Sequence, residues 1–414
     1  MLKRKSRSRQ LQADLYRAVI DRPLRYTKSK GISEMKITFD AVPLIADKIT
    51  GIGWCEAGQT MKFAELYPEI RCEYSFFADR KGNAVRQIKQ FSGKNIGLNK
   101  SRFPKKLYRL LSVMLPVPYS AFFGKKSDIT HFFNYIIPSG VKGKTVVTVH
   151  DMVYKAFPET VRGRTRFMLD AGLKKSLRRA DIVVTDSEFS RTEIVKYFPW
   201  CEDKLRVVPC GVDKEKFHPC GDMEKIAGVK ASLGIEGDYF LYLGTIEPRK
   251  NLERLISAYN AFSKKVSNPP KLVLAGGKGW LYDGIFSRVK SLGLEKQVIF
   301  TKYVPSEDMN ALMCGALAFV FPSLYEGFGM PPLEAMACGV PVLVSGEASL
   351  PEVTGDCAVI VDPYDIKSIA RGLYRLYNDE ALRRDLSRRG IERAGEFTWE
   401  RSAQMLHDIY KELL

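Results

Sequence analysis

Two kinds of hydrophobic pattern alternate along the chain. Short runs rich in β-branched and aromatic residues predict strands, and each run leads into polar or turn residues. In the first half, these runs lie at residues 35–45, 144–151, 180–187 and 204–211. Segments 166–180 and 190–198 carry apolar residues at helical spacing. This alternation is typical of a doubly wound parallel sheet.

The alternation begins again after a passage rich in proline and glycine at residues 217–238. Six further strands are predicted, at residues 239–246, 271–277, 297–304, 316–323, 341–346 and 358–363. The final segment predicts an amphipathic helix, because Met405, Ile409 and Leu413 recur at four-residue steps. A chain of 414 residues, 45% of them hydrophobic, can form two domains of ordinary size. We therefore expect two Rossmann-like α/β domains, joined near residues 212–237.

The positive charge is concentrated in the first half of the chain. The net charge is +18, and residues 1–220 alone hold 42 basic and 22 acidic residues. Such asymmetry indicates a polyanionic partner: an anionic membrane surface, nucleic acid or an acidic acceptor. Residues 1–30 hold ten basic and two acidic residues. This head has two interpretations, membrane contact or a solvated disordered tail.

Cysteine and histidine usage gives little sign of a metal site or a disulfide framework. The eight cysteines include no CxxC pair, and only four histidines occur in the chain. Free thiols in a reducing compartment are the expected state, and no metal is predicted. The sequence also presents no secretory signal and no apolar run approaching the ~20 residues of a membrane span. The predicted location is therefore the cytoplasm.

The segment EGFGMPPLE at residues 326–334 carries the most specific chemistry. It follows a predicted buried strand and leads into a helix, because prolines suit a first helical turn and Gly339 suits a stop. The glycines at 327 and 329 let backbone N–H groups approach a ligand closely. A helix N-terminus adds unpaired N–H groups and a favourable dipole, so the loop favours a phosphate or diphosphate. Glu326 and Glu334 flank this loop and suit the hydroxyl pairs of a sugar.

Residues 322–363, PSLYEGFGMPPLEAMACGVPVLVSGEASLPEVTGDCAVIVDP, closely resemble glycosyltransferase family four, whose members are retaining enzymes of the GT-B fold. The resemblance continues through most of residues 35–400. Its other segments are TGIGWC (50–55), TVVTVHDMVY (145–154), RADIVVTDSEFSRTEI (179–194), VVPCGVD (207–213), YLGTIEPRKNLERLISAY (242–259), LVLAGGKGW (272–280) and VPSEDMNALMCGA (304–316).

The resemblance implies a domain organisation. A basic extension at 1–34 has no counterpart in the family. An acceptor domain covers residues 35–215 and a nucleotide-sugar donor domain covers residues 216–397. The helix at 398–414 is expected to pack back on the first domain.

The resemblance also implies the roles of individual residues. Glu334 would bind the ribose hydroxyls of the donor. Glu326, with the backbone of Gly327, Phe328 and Gly329, would hold the transferred sugar and the diphosphate. Arg249 and Lys250 would neutralise the leaving diphosphate, and such pre-placed charge is commonly the largest catalytic term.

Four further positions are implied at the donor. His150 would face the donor sugar, and Gly51 and Gly53 would form a loop near its phosphates. Val304 joins the residues that bind the nucleotide sugar. The family commonly has arginine after the glycine of YLG, where this chain has Thr245, so a simple clamp of two cations is in question.

The predicted activity is transfer of a hexose from a nucleotide sugar to a lipid-linked or polysaccharide acceptor, without a metal or a resident cofactor. The TIEPRKN variant (245–251) resembles a subgroup rich in mannosyltransferases and favours GDP-mannose as donor. The alternative within the class is a UDP-sugar, carrying glucose, galactose or N-acetylglucosamine. A basic nucleic-acid-binding protein is the remote alternative, and it lacks the interleaved aromatic residues expected of such a surface. The enzyme is expected to be cytoplasmic, with peripheral association at the inner face of the membrane as the open alternative.

Overall fold

The computed structural model describes residues 35–414, except 47–48, 80, 94, 105–106, 109–116 and 125–126. The predicted basic extension at 1–34 therefore lies outside the described residues. The chain divides into two compact units. The N-terminal unit contains the described residues up to Tyr154, Gly163–Gly211 and Thr398–Leu414. The C-terminal unit contains Lys155–Arg162 and Val212–Phe397.

The N-terminal unit is built on a parallel sheet of seven strands among the described residues. The strands are β1 (Lys36–Asp40), β2 (Arg71–Phe77), β3 (Ile96–Ser101), β4 (Ile129–Phe132), β5 (Lys144–Thr148), β6 (Ile182–Thr185) and β7 (Leu205–Val207). Their order is β3-β2-β1-β4-β5-β6-β7. The topology switches between β1 and β4, and in open α/β sheets ligands bind beyond the carboxyl ends of strands at such a point.

The C-terminal unit repeats this plan with six parallel strands in its described residues. These are β8 (Tyr239–Leu243), β9 (Lys271–Ala275), β10 (Val298–Lys302), β11 (Ala318–Phe321), β12 (Val342–Ser345) and β13 (Ala358–Val361). Their order is β10-β9-β8-β11-β12-β13, which puts the switch between β8 and β11. Residues of β8, β11 and β12 are buried throughout, as expected for a parallel sheet covered on both faces.

Helices separate most of the strands in the described part of the chain. They are α1 (Gly51–Leu66), α2 (Asn83–Ser92), α3 (Ser120–Phe123), α4 (Val153–Ala156), α5 (Gly163–Arg179), α6 (Glu188–Tyr197), α7 (Met223–Ser232), α8 (Leu252–Ser263), α9 (Asp283–Ser291), α10 (Met309–Cys314), α11 (Met330–Ala337), α12 (Leu350–Thr354), α13 (Ile366–Asn378), α14 (Glu380–Gly395) and α15 (Trp399–Glu412).

The C-terminal helix α15 belongs to the core of the N-terminal unit. Leu406 and Tyr410 are fully buried there with Phe39 of β1 and Phe63 of α1. The Tyr410 hydroxyl is 2.7 Å from Nδ1 of the buried His131. The helix therefore contributes both apolar area and a hydrogen bond to a core formed mainly by residues some 300 positions earlier in the chain.

The doubly wound α/β fold predicted from the sequence is confirmed, and all ten predicted runs contain a strand. The strands β2, β3 and β4 were not predicted. β3 is an edge strand, IGLNKS, with a glycine and several polar residues, so its pattern is weak. In the described residues, no helix is both long and apolar enough to cross a bilayer.

Candidate functional site

The loops after β8 and β11 meet at the switch point of the C-terminal unit. The Leu324 amide donates to the Arg249 carbonyl at 2.9 Å. Asn251 Nδ2 donates to the carbonyls of Pro322 at 3.0 Å and Pro363 at 2.7 Å. Asn251 has a positive φ of 61°, a conformation that asparagine tolerates better than most residues. These bonds fix the two loops side by side at the sheet edge where a ligand is expected.

Four charged side chains from these loops form one cluster, here called the Glu326 cluster: Glu247, Arg249, Lys250 and Glu326. Glu326 Oε1 accepts from Lys250 Nζ at 2.6 Å, and its Oε2 accepts from Arg249 Nη1 at 2.7 Å. The Arg249 guanidinium also donates to Glu247 Oε1, at 2.7 Å from Nη2. Two cations thus alternate with two carboxylates, and both oxygens of Glu326 are engaged.

Burial and neighbouring charges shift the pKa values of the groups in this cluster. Glu326 and Lys250 are buried. Burial alone would raise the pKa of Glu326, but the adjacent Arg249 and Lys250 hold it down at about 2. Burial and the neighbouring Arg249 lower the pKa of Lys250. The formal charges of the four groups cancel, so the cations are held ready in position rather than left as uncompensated charge.

The glycine loop after Glu326 has a fixed shape. Ser349 Oγ lies 2.9 Å from the Glu326 carbonyl and 2.7 Å from the Phe328 carbonyl. Gly329 has φ 111°, and a Cβ there would lie 2.6 Å from Leu350 Cδ2, so the position requires glycine. The Phe328 ring is buried and packs edge-on against Phe397 at 5.7 Å. The loop is thus pinned just before the N-terminus of α11, where Met330 has a backbone N–H and the two prolines that follow it have none.

Glu334 lies on α11, in the turn that follows this loop. Burial raises the pKa of its carboxyl to about 7; Lys216 opposes this shift and Asp213 adds to it. A carboxyl group with a pKa near 7 gains or loses its proton, and so changes from donor to acceptor, within the physiological pH range. The predicted ribose-binding residue is therefore also a candidate source of pH dependence.

Val304 is buried beyond the end of β10. In the sheet, β9 separates β10 from β8, so Val304 follows an edge strand and not a strand of the switch point. That Val304 contacts the nucleotide sugar stays a prediction.

His150 lies two residues beyond β5 in the N-terminal unit and is buried. Its Nδ1 is 2.6 Å from Asp186 Oδ2, and its Nε2 is 2.8 Å from the Phe133 carbonyl oxygen. Burial alone would lower the pKa of His150, but the Asp186 carboxylate raises it to about 10. Both ring nitrogens are thus engaged, so a contact with a sugar would require one of these bonds to open.

Next to His150, buried polar groups from several segments lie close together. Cys55 Sγ and Cys210 Sγ are 3.0 Å apart, and Cys55, His150 and Asp186 present ligand atoms within 4.8 Å of one another. On α1, both carboxylate oxygens of Glu56 and both amide atoms of Gln59 are buried without a hydrogen-bond partner among the described residues. Burial, with Asp40 nearby, raises the pKa of Glu56.

Gly51 and Gly53 were predicted to form a loop, and this prediction is wrong. Both belong to the first turn of α1, which begins at Gly51 after an extended Thr50. A Cβ on Gly53 would lie 2.7 Å from Ile49 and 3.1 Å from the Pro43 carbonyl, so Gly53 permits close packing at the start of the helix. Two glycines separated by one residue suggested a turn. In the structure they lie in a helix, because Gly53 packs closely against Ile49 and Pro43.

The structure therefore brings together Glu326, Arg249, Lys250 and the Gly327–Gly329 loop, with Glu334 on the following helix. His150, Gly51 and Gly53 belong to the other unit. Sequence reasoning missed Glu247, Asn251 and Ser349, which hold the first group in place. Glu247 and Asn251 both lie within the quoted TIEPRKN segment, so their proximity to Arg249 and Lys250 was the available signal. For Ser349 no local signal existed, because its role depends on a contact across 21 residues.

Two family models match the chain. Residues 230–393 match the glycosyl transferases group 1 model, and residues 71–216 match the Glycosyltransferase Family 4 model. Together the matches include the Glu326 cluster, Glu334, His150 and Asp186.

Curated relatives agree with these matches. The chain is 35% identical over 289 residues to O-antigen chain mannosyltransferase B of Escherichia coli, covering 69% of this chain and 74% of the relative. It is 32% identical over 299 residues to the serotype-specific mannosyltransferase WbdA of Escherichia coli, covering 71% of this chain. That match spans only 36% of WbdA, so the chain corresponds to about a third of that relative.

Solved structures share the fold. HepE of Anabaena, in complex with UDP-glucose, superimposes with a TM-score of 0.70 at 19% identity, covering 92% of this chain and 100% of that one. Sucrose-phosphate synthase of Thermosynechococcus elongatus gives a TM-score of 0.68 at 21% identity, covering 92% and 99%. At these identities the similarity shows a fold of two Rossmann-like domains and nothing about the ligand.

Proposed function

The chain belongs to glycosyltransferase family 4 and is a glycosyltransferase, and we propose that it transfers mannose from GDP-mannose to a lipid-linked or polysaccharide acceptor. Two observations support mannose as the sugar. The Escherichia coli relatives that match about 70% of the chain are named mannosyltransferases. The TIEPRKN segment (245–251) also resembles that subgroup.

The observation that carries the proposal is the Glu326 cluster beside the pinned loop of Gly327–Gly329. A nucleoside diphosphate needs cations and backbone N–H donors for its phosphates and a carboxylate for its ribose. Arg249 and Lys250 provide the cations, the loop of Gly327–Gly329 with Met330 provides the N–H donors, and Glu334 provides the carboxylate. These groups surround the carboxyl ends of β8 and β11, where this class of sheet binds ligands.

In the proposed reaction, the bond between the anomeric carbon and the diphosphate breaks and negative charge develops on the leaving group. Arg249 and Lys250 stabilise that charge, and Glu326 keeps both side chains oriented before the donor arrives. Groups that are already in position need no reorganisation during the reaction, which is why such arrangements lower barriers effectively. The acceptor hydroxyl oxygen bonds to the anomeric carbon, and the leaving phosphate oxygen accepts the proton of that hydroxyl. No resident cofactor is required in this scheme.

Donor choice is tested by binding and turnover with a panel of nucleotide sugars. We expect GDP-mannose to raise the melting temperature and to be hydrolysed slowly without acceptor, with UDP-glucose, UDP-galactose and UDP-N-acetylglucosamine giving smaller effects. A Lys250→Ala variant should lose most of the hydrolysis, and Lys264→Ala, at an exposed lysine of the same unit, should keep it. Preference for a UDP-sugar would establish the rival donor, and equal turnover by the Lys250→Ala variant would remove the site assignment.

The acceptor proposal includes peripheral contact with an anionic membrane on the cytoplasmic side. The first turns of α5 present Phe167, 74% exposed, and Met168, 45% exposed, directly after Arg164 and Arg166. Exposed apolar side chains flanked by basic ones suit the boundary between acyl chains and anionic headgroups. On the opposite face of the helix, Leu173 is fully buried, so this face anchors α5 to its unit.

Sedimentation with vesicles tests this contact. The full chain should bind vesicles containing phosphatidylglycerol and not vesicles of phosphatidylcholine alone, and added salt should weaken binding. Phe167→Ser should reduce binding, while Met223→Ser, at a residue 70% exposed in the other unit, should not. Equal binding by the Phe167→Ser variant would contradict a role for α5. Competition by DNA or RNA at low salt would favour the nucleic-acid alternative for the basic half.

A further inference from the structure

We propose that the segment Lys155–Arg162, here called the strap, positions the Glu326 cluster, with Phe157 and Thr160 as its positioning residues. In the sequence, the strap is flanked on both sides by residues of the N-terminal unit. In the structure, it belongs to the C-terminal unit. The inference rests on the proposed function, because it takes the Glu326 cluster as the donor site.

The strap contains a turn that holds Phe157 and Thr160 in a fixed relation. Pro158–Thr160 form a 3₁₀ turn. The Phe157 carbonyl accepts from the Thr160 amide at 3.0 Å and from the Thr160 hydroxyl at 2.8 Å. The proline that begins the turn has a fixed φ. The Phe157 ring and the Thr160 carbonyl are therefore presented together by one short and rigid piece of chain.

Phe157 contacts the loop that carries Glu326. Its ring centroid lies 5.7 Å from that of Tyr325, at an interplanar angle of 58°. Tyr325 directly precedes Glu326 and is buried, and its carbonyl accepts from Arg249 Nη1 at 2.6 Å. The same Arg249 nitrogen donates to Glu326 Oε2 at 2.7 Å. The backbone beside Phe157 is therefore itself part of the hydrogen bonding of the cluster.

Thr160 contacts the loop that follows β9. Its carbonyl accepts from Trp280 Nε1 at 2.7 Å. The amide of the preceding Gly279 donates to the Ile246 carbonyl at 3.0 Å. A Cβ on Gly279 would lie only 3.4 Å from Cβ of Glu247. The loop after β9 thus packs directly against the loop after β8, which carries both cations of the cluster.

The strap is therefore in contact with the framework of the cluster by two routes, through Tyr325 after β11 and through Trp280 after β9. Pre-placed cations stabilise developing charge only while they stay in place. Neither Phe157 nor the Thr160 carbonyl can supply a cation or a proton to the diphosphate. Their contribution is to orientation, which affects kcat more than donor binding. The donor site of the C-terminal unit thus depends on residues from the N-terminal half of the sequence.

The test is steady-state hydrolysis of GDP-mannose, or of the nucleotide sugar preferred in the donor panel, by the full chain. Phe157→Ala should lower kcat by roughly 10–100-fold with KM within about twofold, because a displacement near 1 Å misaligns the cations without removing them. Phe157→Tyr keeps the ring and should retain nearly all activity. Phe300→Ala removes a half-buried ring that stacks on Phe286 at 4.3 Å in the same unit, and should leave kcat unchanged.

A second variant decides the question if Phe157→Ala fails to fold. Trp280→Phe removes the hydrogen bond to the Thr160 carbonyl and keeps an apolar ring. It should lower kcat with little change in KM, whereas Trp200→Phe, at an exposed tryptophan of the N-terminal unit, should change neither.

Two results would overturn the role of the strap alone. One is unchanged kcat in Phe157→Ala and Trp280→Phe while Lys250→Ala is impaired. The other is a change confined to KM, or a loss in Phe157→Tyr as large as in Phe157→Ala. Full activity of Lys250→Ala would instead overturn the proposed function, and this inference with it.

Discussion

The two units share one architecture but differ in how a buried glutamate side chain is paired. In the C-terminal unit, the buried Glu326 carboxylate binds two cations through both of its oxygens. In the N-terminal unit, the buried Glu56 carboxylate has no hydrogen-bond partner among the described residues. A paired buried charge resists change, and an unpaired one favours the neutral form. The same residue type is thus a fixed part of one site and a source of destabilisation in the other.

Replacing a buried glutamate by glutamine in each unit gives the largest predicted difference in the free energy of unfolding. Glu326→Gln should lower the free energy of unfolding by about 3 kcal/mol, because it leaves Lys250 buried beside a neutral amide. Glu56→Gln should leave stability unchanged or increase it, because no described partner is lost and the cost of burying a carboxyl that is ionised in the unfolded chain disappears. Urea unfolding at pH 7 measures both. Equal losses in the two variants would contradict the comparison, as would a stable Glu326→Gln protein.

Removal of one cation tests catalysis in the C-terminal unit. Lys250→Ala should reduce kcat by roughly 10²–10³-fold, as loss of a donor that stabilises developing negative charge typically does. The KM for the donor should rise less, because the interaction is strongest when charge develops. Steady-state sugar transfer measures the effect, with Lys264→Ala as the control. A change confined to KM would show that Lys250 acts in binding and not in the transition state.

The pH dependence of nucleotide binding tests Glu334. Its pKa is raised to about 7, so the carboxylate that would accept ribose hydroxyls is lost as the pH falls below 7. GDP affinity should therefore decrease by up to about tenfold per pH unit at lower pH and level off above pH 8. Glu334→Gln should bind more weakly at pH 8 and with a flatter profile. Calorimetric titration between pH 5.5 and 8.5 checks this, and an unchanged slope in the variant would rule Glu334 out.

Loop geometry gives the smallest predicted effect. Gly329→Ala should lower the free energy of unfolding by about 1–2 kcal/mol, because φ is 111° and Leu350 occupies the space for a Cβ. Gly277→Ala in the same unit meets no atom within 4 Å and should be nearly neutral. Thermal unfolding of the two variants, with GDP binding as a second measurement, separates strain in the loop from general sensitivity to alanine.

The sequence was most informative where strands are buried on both faces. Runs such as AFVF in β11 and VLVS in β12 have few alternatives to a central parallel strand, and both were predicted. β3 was missed because an edge strand with exposed positions lacks that pattern. Gly53 was misread because its requirement for glycine comes from Pro43 and Ile49 packed against a helix, a tertiary contact that local spacing does not encode.

In the candidate site, too, the sequence revealed features that are local in the chain and not contacts between distant residues. Glu326 and the glycine loop were recognisable because loop, helix start and acid are consecutive in sequence. The pairing of Glu326 with Arg249 and Lys250 joins residues 77 and 76 positions apart, and the sequence predicted the residues without predicting the contact. The cations were expected to act on phosphate directly, whereas the structure shows them already balanced by carboxylates. The contacts of the strap with its two loops also join residues that are far apart in the sequence, so no spacing motif revealed them.

A crystal structure with GDP-mannose bound would test the central claim most directly. The account predicts the diphosphate within hydrogen-bonding distance of Lys250 Nζ and the amides of Gly327–Gly329, with the ribose hydroxyls on Glu334. A nucleotide bound elsewhere, with Glu326, Arg249 and Lys250 contacting only one another, would contradict it.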